Sequence, residues 1–230
     1  MTTEVIPPSA PEAAPTSRSF DRMGAASGVV FVVCLVLSLV LVGEMPAASD
    51  DALTIADYLT EDIGTHQAGL LFIGIAIVPL TLFLAGLLGV HQRADRRHGE
   101  RWSVAIATFF VLAIALLSVG VLIDGALLVS RDAGLSDGVL LAVWDISIAS
   151  GAIMTVAFGA AAASVGIQTL HHGLRPAWYG WLGVIVGILG LLNLGMLVTD
   201  SDTAVAVGFA MLPGFIIWVL ATSVFLTRDA

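Results

Sequence analysis

Six runs of apolar side chains, at about 23–43, 66–90, 103–123, 139–167, 179–199 and 204–226, leave this chain few ways to fold. At 1.5 Å of rise per residue, each run is long enough to cross roughly 30 Å of hydrocarbon as a helix. None shows the strict alternation of a lipid-facing barrel strand, and an open strand would leave backbone N–H and C=O groups unpaired in lipid. The pattern predicts an all-α, polytopic membrane protein, a six-helix transmembrane bundle over 23–227. Composition supports it: of 230 residues 58% are hydrophobic and 12% charged, and the mean hydropathy is +0.99, well above a soluble domain. Little chain remains for an extramembrane domain. The fourth run is the longest and predicts a helix that tilts or begins outside the hydrocarbon.

The segments between the runs set the threading. Residues 1–22, MTTEVIPPSAPEAAPTSRSFDR, are rich in Pro, Ala, Ser and Thr, and predict a disordered cytoplasmic tail. The first run is too long for a signal-peptide core and reads as an uncleaved helix. Arg18, Arg22, Arg93, Arg96, Arg97, Arg101, Arg175 and Arg228 all fall on one side of a six-span threading, and Arg131 alone falls on the other. The positive-inside rule makes that side cytoplasmic, so both termini are expected there, in a bacterial inner membrane. The opposite loops are acidic, and the net charge of −9 argues against nucleic acid as a partner. In the first outer loop, ASDDALTIADYLTEDIG places Leu53, Ile55, Ala56 and Leu59 for a short amphipathic helix ended by Gly64, either a lid or a connector. Cys34, inside the first run, can form no internal disulfide and no multi-cysteine metal site.

Lipid gives helices no hydrophobic reason to associate, so contacts are expected at small residues. Gly180, Gly183, Gly187 and Gly190 form one stripe on the fifth helix, Gly24 and Gly28 a GxxxG pair on the first, and Gly159 belongs to a small-residue face on the fourth. At 100° per residue, Ala149, Ala152, Val156, Gly159 and Ala163 share that face with Asp145, which predicts a carboxylate turned into the bundle. His66, Asp124 and Asn193 fall at a similar outer level. Together with Asp145 they make a candidate intramembrane polar site, because an ionisable group there costs about 2.5–3.5 kcal/mol to insert. A helix-pinning hydrogen bond would explain the same residues without a ligand. Pro79 and Pro213 interrupt two runs and are candidate hinges. His91, His98, His171 and His172 read as solvated loop residues, so neither a metal nor any cofactor is expected. Trp102, Trp178, Tyr179 and Trp181 read as interfacial anchors at the cytoplasmic edge, and Trp144 as one at the outer edge.

No metalloprotease, nucleophile-elbow or Walker pattern occurs, so no reaction is identified. LRPAWYGWLGVIVGIL at 174–189, WDISIASGAI at 144–153 and the acidic loop after the first helix resemble a group of actinobacterial six-span membrane proteins of unknown function. That resemblance implies the topology and brings no activity or functional residues. The leading expectation is a non-catalytic membrane subunit or scaffold, with the lipid bilayer and a membrane-protein partner or a second copy as its contacts. The alternative is a transporter of a proton, cation or small polar solute with an outward-facing site around Asp145. A third is an enzyme acting on a lipid-linked substrate.

Overall fold

The computed structural model describes residues 16–47, 49–130, 133, 135–197 and 202–229, and among them helices are the regular structure, with no strand. They are α1 (Thr16–Val42), α2 (Ala52–Thr60), α3 (Ile63–His98), α4 (Trp102–Ser130), α5 (Asp137–His172), α6 (Ala177–Leu192), which runs on as a 3-10 turn Asn193–Leu197, and α7 (Asp202–Asp229). Six of these, all but α2, are long and apolar enough to cross a membrane. The chain is an all-helical, multi-pass membrane protein.

The helices outrun the apolar runs. Of the tail expected over 1–22, residues 1–15 lie outside the described residues, and α1 already begins at Thr16. α3 and α5 have 36 residues each, about 54 Å at the helical rise. HQRADRRHGERW, expected as a loop, is mostly the end of α3. Hydropathy stops at the edge of the hydrocarbon, but nothing in arginine or histidine stops a helix there; Gly99, at φ +72°, does. α2 likewise ends at Thr60, before Gly64, because Glu61 turns extended, and Asp62, at a left-handed φ of +43°, then starts α3 in a new direction.

Each long helix packs on its successor, and α7 closes back on α1, so the six form a ring. For convenience the end bearing the α3–α4 and α5–α6 turns is the arginine end, and the other is the acidic end. Small residues set the close approaches. A Cβ on Gly24 would lie 2.9 Å from Gly86 Cα, which fixes α1 against α3. The stripe on α6 meets α5: a Cβ would lie 2.6 Å from Leu170 Cγ at Gly180, 2.5 Å from Ala162 O at Gly183, 2.5 Å from Ala163 Cβ at Gly187 and 2.8 Å from Thr155 O at Gly190. The glycine faces are therefore used inside the bundle, with Gly159 opposite Gly187 and Gly190.

The middle of the ring is aromatic. Phe31, Phe83, Phe110, Phe158, Phe215 and Trp218, from five helices, touch in a chain of edge, tilted and stacked contacts with centroids 4.8–6.4 Å apart. All are buried, and Trp218 is fully so. Pro79 is buried and Pro213 exposed, and both sit in uninterrupted helices. Trp178 and Trp181 are exposed, as interfacial residues should be, but Trp144 and Tyr179 are core residues rather than anchors.

Candidate functional site

At the acidic end, α2 lies over the bundle. Asp51 caps it, its carboxylate accepting from Thr54 N at 2.8 Å, and that backbone bond holds its pKa below the ordinary value. Ile55 and Leu59 are buried against Leu127, Leu128, Leu140 and Trp144, while Leu53, counted on the same face from sequence, is exposed. This docking delivers Tyr58 to the bundle, where its ring lies 4.4 Å from His66 and 5.8 Å from Trp144, centroid to centroid. Burial, then the Asp124 carboxylate, push the Tyr58 phenol up to about 12. Asp124 itself is half-buried and accepts a hydrogen bond from Ser147 Oγ at 2.6 Å. His66 Nδ1 and Trp144 Nε1 are both buried and have no hydrogen-bond partner among the described residues. Leaving such a group unpaired costs about 1–3 kcal/mol, so this cluster can recognise a small polar group or exchange a proton.

His66 and Asp124 thus meet at one site, joined by Tyr58, Trp144 and Ser147. Asp145 does not join them. It is exposed, and the side of α5 that faces inward at this level is the one carrying Leu140, Trp144 and Ser147. The small-residue face does meet α6 lower down, at Gly159 and Ala163, but α6 is short: its Gly190 reaches only the level of Thr155. Asp145 lies ten residues, about 15 Å, beyond that point, and among the described residues none covers it. Asn193 is also misplaced by the sequence. It is buried and donates through Nδ2 to Thr155 Oγ1, roughly 12 Å along α5 from Ser147, as an isolated tie between α6 and α5.

A second polar network, unforeseen, lies at the arginine end. Gln168 on α5 is fully buried; its Oε1 bonds His91 Nδ1 on α3, and its Nε2 donates to Asp95 Oδ1 at 2.8 Å. Asp95 then accepts from the free backbone N–H groups at the start of α4, Trp102 N at 3.1 Å and Ser103 N at 2.8 Å. One carboxylate and one amide therefore hold three helices together. Beside them a cavity of about 10 Å³, the size that holds a single water, is lined by His91, Thr169, Arg175, Tyr179, Thr222 and Phe225. Tyr179 Oη bonds Thr222 Oγ1 at 2.8 Å, tying α6 to α7. Arg175 lies 5.1 Å over the Phe225 ring, and burial lowers its pKa.

The histidines expected in loops are not in loops. His91, His98, His171 and His172 are helical; His91 is buried, and His171 and His172, on the last turn of α5, face Glu100. The signal that could have revealed Gln168 and Asp95 was their spacing across separate helices, which no single-helix periodicity carries. Comparison with protein-family models, curated proteins and solved structures finds no match.

Proposed function

We infer that the chain is a non-catalytic, six-span subunit of a bacterial inner membrane, with both termini cytoplasmic, as the eight arginines of the arginine end imply. The observation that carries this reading is the separation of its polar layers. Ser147 and Gln168 are 21 residues apart on α5, about 30 Å, the thickness of the hydrocarbon. Between them lie the aromatic cluster of Phe31, Phe83, Phe110, Phe158, Phe215 and Trp218 and the neutral Asn193–Thr155 tie, with no ionisable side chain among these residues. Such a bundle is pinned at each membrane surface and closed in the middle. Its glycine faces are occupied internally, so the outer face of α4, with Val104, Val111, Leu122 and Val129 exposed, is left for lipid or a membrane partner. Membership in the actinobacterial six-span group belongs to this reading and rests on the 144–153 and 174–189 segments.

The test is proton flux into liposomes containing the purified chain and a trapped pH dye, with unfolding of wild type and Asp124→Asn measured in parallel. The reading expects wild-type vesicles to leak no faster than empty ones, and Asp124→Asn to change stability alone. A saturable flux that Asp124→Asn abolishes without altering unfolding would overturn it. That outcome would favour a second reading, uptake of a small polar solute at the acidic end, which the unpartnered His66 Nδ1 and Trp144 Nε1 support.

A further inference from the structure

The geometry points to a divalent transition-metal site at the arginine end, formed by Glu100, His171 and His172 and suited to an ion such as Zn²⁺. The two helices that meet there stop in the same way. α3 ends at Gly99 (φ +72°), whose N–H returns to Asp95 O, and α5 ends at Gly173 (φ +61°), whose N–H returns to Thr169 O. These stops bring Glu100, the second residue after α3, against the last turn of α5. His172 Nε2 lies 2.7 Å from Glu100 Oε2, and His171 Nε2 lies 3.7 Å from Glu100 Oε1. One ligand atom from each of the three residues falls within 4.8 Å of the others. In a tetrahedral zinc site with bonds of about 2.0–2.1 Å, ligand atoms stand about 3.3 Å apart. The 2.7 and 3.7 Å separations run to the two oxygens of the one carboxylate, and all three ligand atoms lie within 4.8 Å, so ligation asks for side-chain shifts of up to about 1.5 Å.

The surroundings fit a resident ion. The His172 side chain is 6% exposed, and the His98 ring stacks on it with centroids 3.9 Å apart, which fixes the imidazole plane. His171 is exposed, so the remaining coordination positions face solvent and take water. Two imidazoles and one carboxylate select a borderline ion over Mg²⁺ or Ca²⁺, which want several oxygen ligands. Arg96, Arg97 and Arg101 are close to Glu100 in sequence, and their charge opposes any cation, so binding here depends on donation from the imidazoles. Bound there, the ion ties the end of α5 to the α3–α4 turn. This goes beyond the subunit reading and does not depend on it.

The experiment uses the full chain, purified through a tag without histidine, reconstituted in lipid nanodiscs, stripped with chelator and titrated with Zn²⁺ against a chromophoric chelator. Co²⁺ is the spectroscopic probe. One ion per chain is expected, with visible ligand-field bands for Co²⁺ and no competition from Mg²⁺. Affinity should fall as pH is lowered, since protons compete for the imidazoles. Glu100→Gln and His171→Asn should each weaken binding at least about tenfold, the lower bound for disturbing even an outer-shell group. His171 is exposed, so its variant reports even where one at His172 fails to fold. Binding that does not saturate at one ion per chain, or that both substitutions leave unchanged, overturns the site.

Discussion

Replacing Gln168 by Leu tests whether one buried amide organises the arginine end. Leu nearly conserves the volume, so the packing of α5 is kept while two hydrogen bonds are lost. The first is the bond from Gln168 Nε2 to the Asp95 carboxylate at 2.8 Å, a charge-assisted bond of about 1.5–3 kcal/mol. The second leaves His91 Nδ1 buried and unpaired, at about 1–3 kcal/mol. Asp95 keeps Trp102 N and Ser103 N, so it is not orphaned, and the combined cost should be about 3–5 kcal/mol. His91→Leu alone should cost about 1–3 kcal/mol, because it strands Gln168 Oε1 instead. In the double variant neither group is stranded, so the two costs should fall short of additive by about 1–3 kcal/mol. Reversible unfolding in mixed micelles, titrated with denaturing detergent, measures all four corners of this cycle. Additivity within about 0.5 kcal/mol, or a Gln168→Leu cost under about 1 kcal/mol, would refute the reasoning.

Other substitutions separate the packing and charge arguments. Gly183→Ala would put a Cβ 2.5 Å from Ala162 O and should destabilise by about 1–3 kcal/mol, whereas Gly74→Ala, with nothing within 4 Å, should be neutral or stabilise by up to about 1 kcal/mol in the same unfolding assay. Asp145→Asn should change stability by less than about 0.5 kcal/mol because the side chain is exposed, while Asp124→Asn, which weakens the Ser147 contact, should cost about 1 kcal/mol; equal effects would contradict the burial pattern. The hydrogen bond from His172 holds the Glu100 pKa below its ordinary value. A depressed carboxylate adds stability above its unfolded pKa and loses it as pH falls through the folded value, so His172→Asn should flatten the acid limb of a Tm–pH profile measured without metal.

The six long helices were legible because lipid forces a simple code of long apolar runs. Helix ends were not legible to the same degree. α3 and α5 carry on past their apolar stretches, and only Gly99 and Gly173 mark the true stops, so His91 and Asp95 were mistaken for loop residues. At the acidic end His66 and Asp124 were found from depth alone. Asp145 failed because periodicity gives a face but does not say how far a neighbour extends to cover it. The glycine stripe on α6 was legible as a contact, though its partner, α5, was visible only once the chain was folded.

The ring closes only when the last helix reaches the first. At roughly 5–20 residues per second, α7 emerges from a ribosome some ten to forty seconds after α1. Through that interval the nascent bundle holds four phenylalanines of its hub, at 31, 83, 110 and 158, around the gap that Trp218 later fills. A stop codon before α7 leaves those four rings without Phe215 and Trp218, and its product should be cut by protease faster than the full chain.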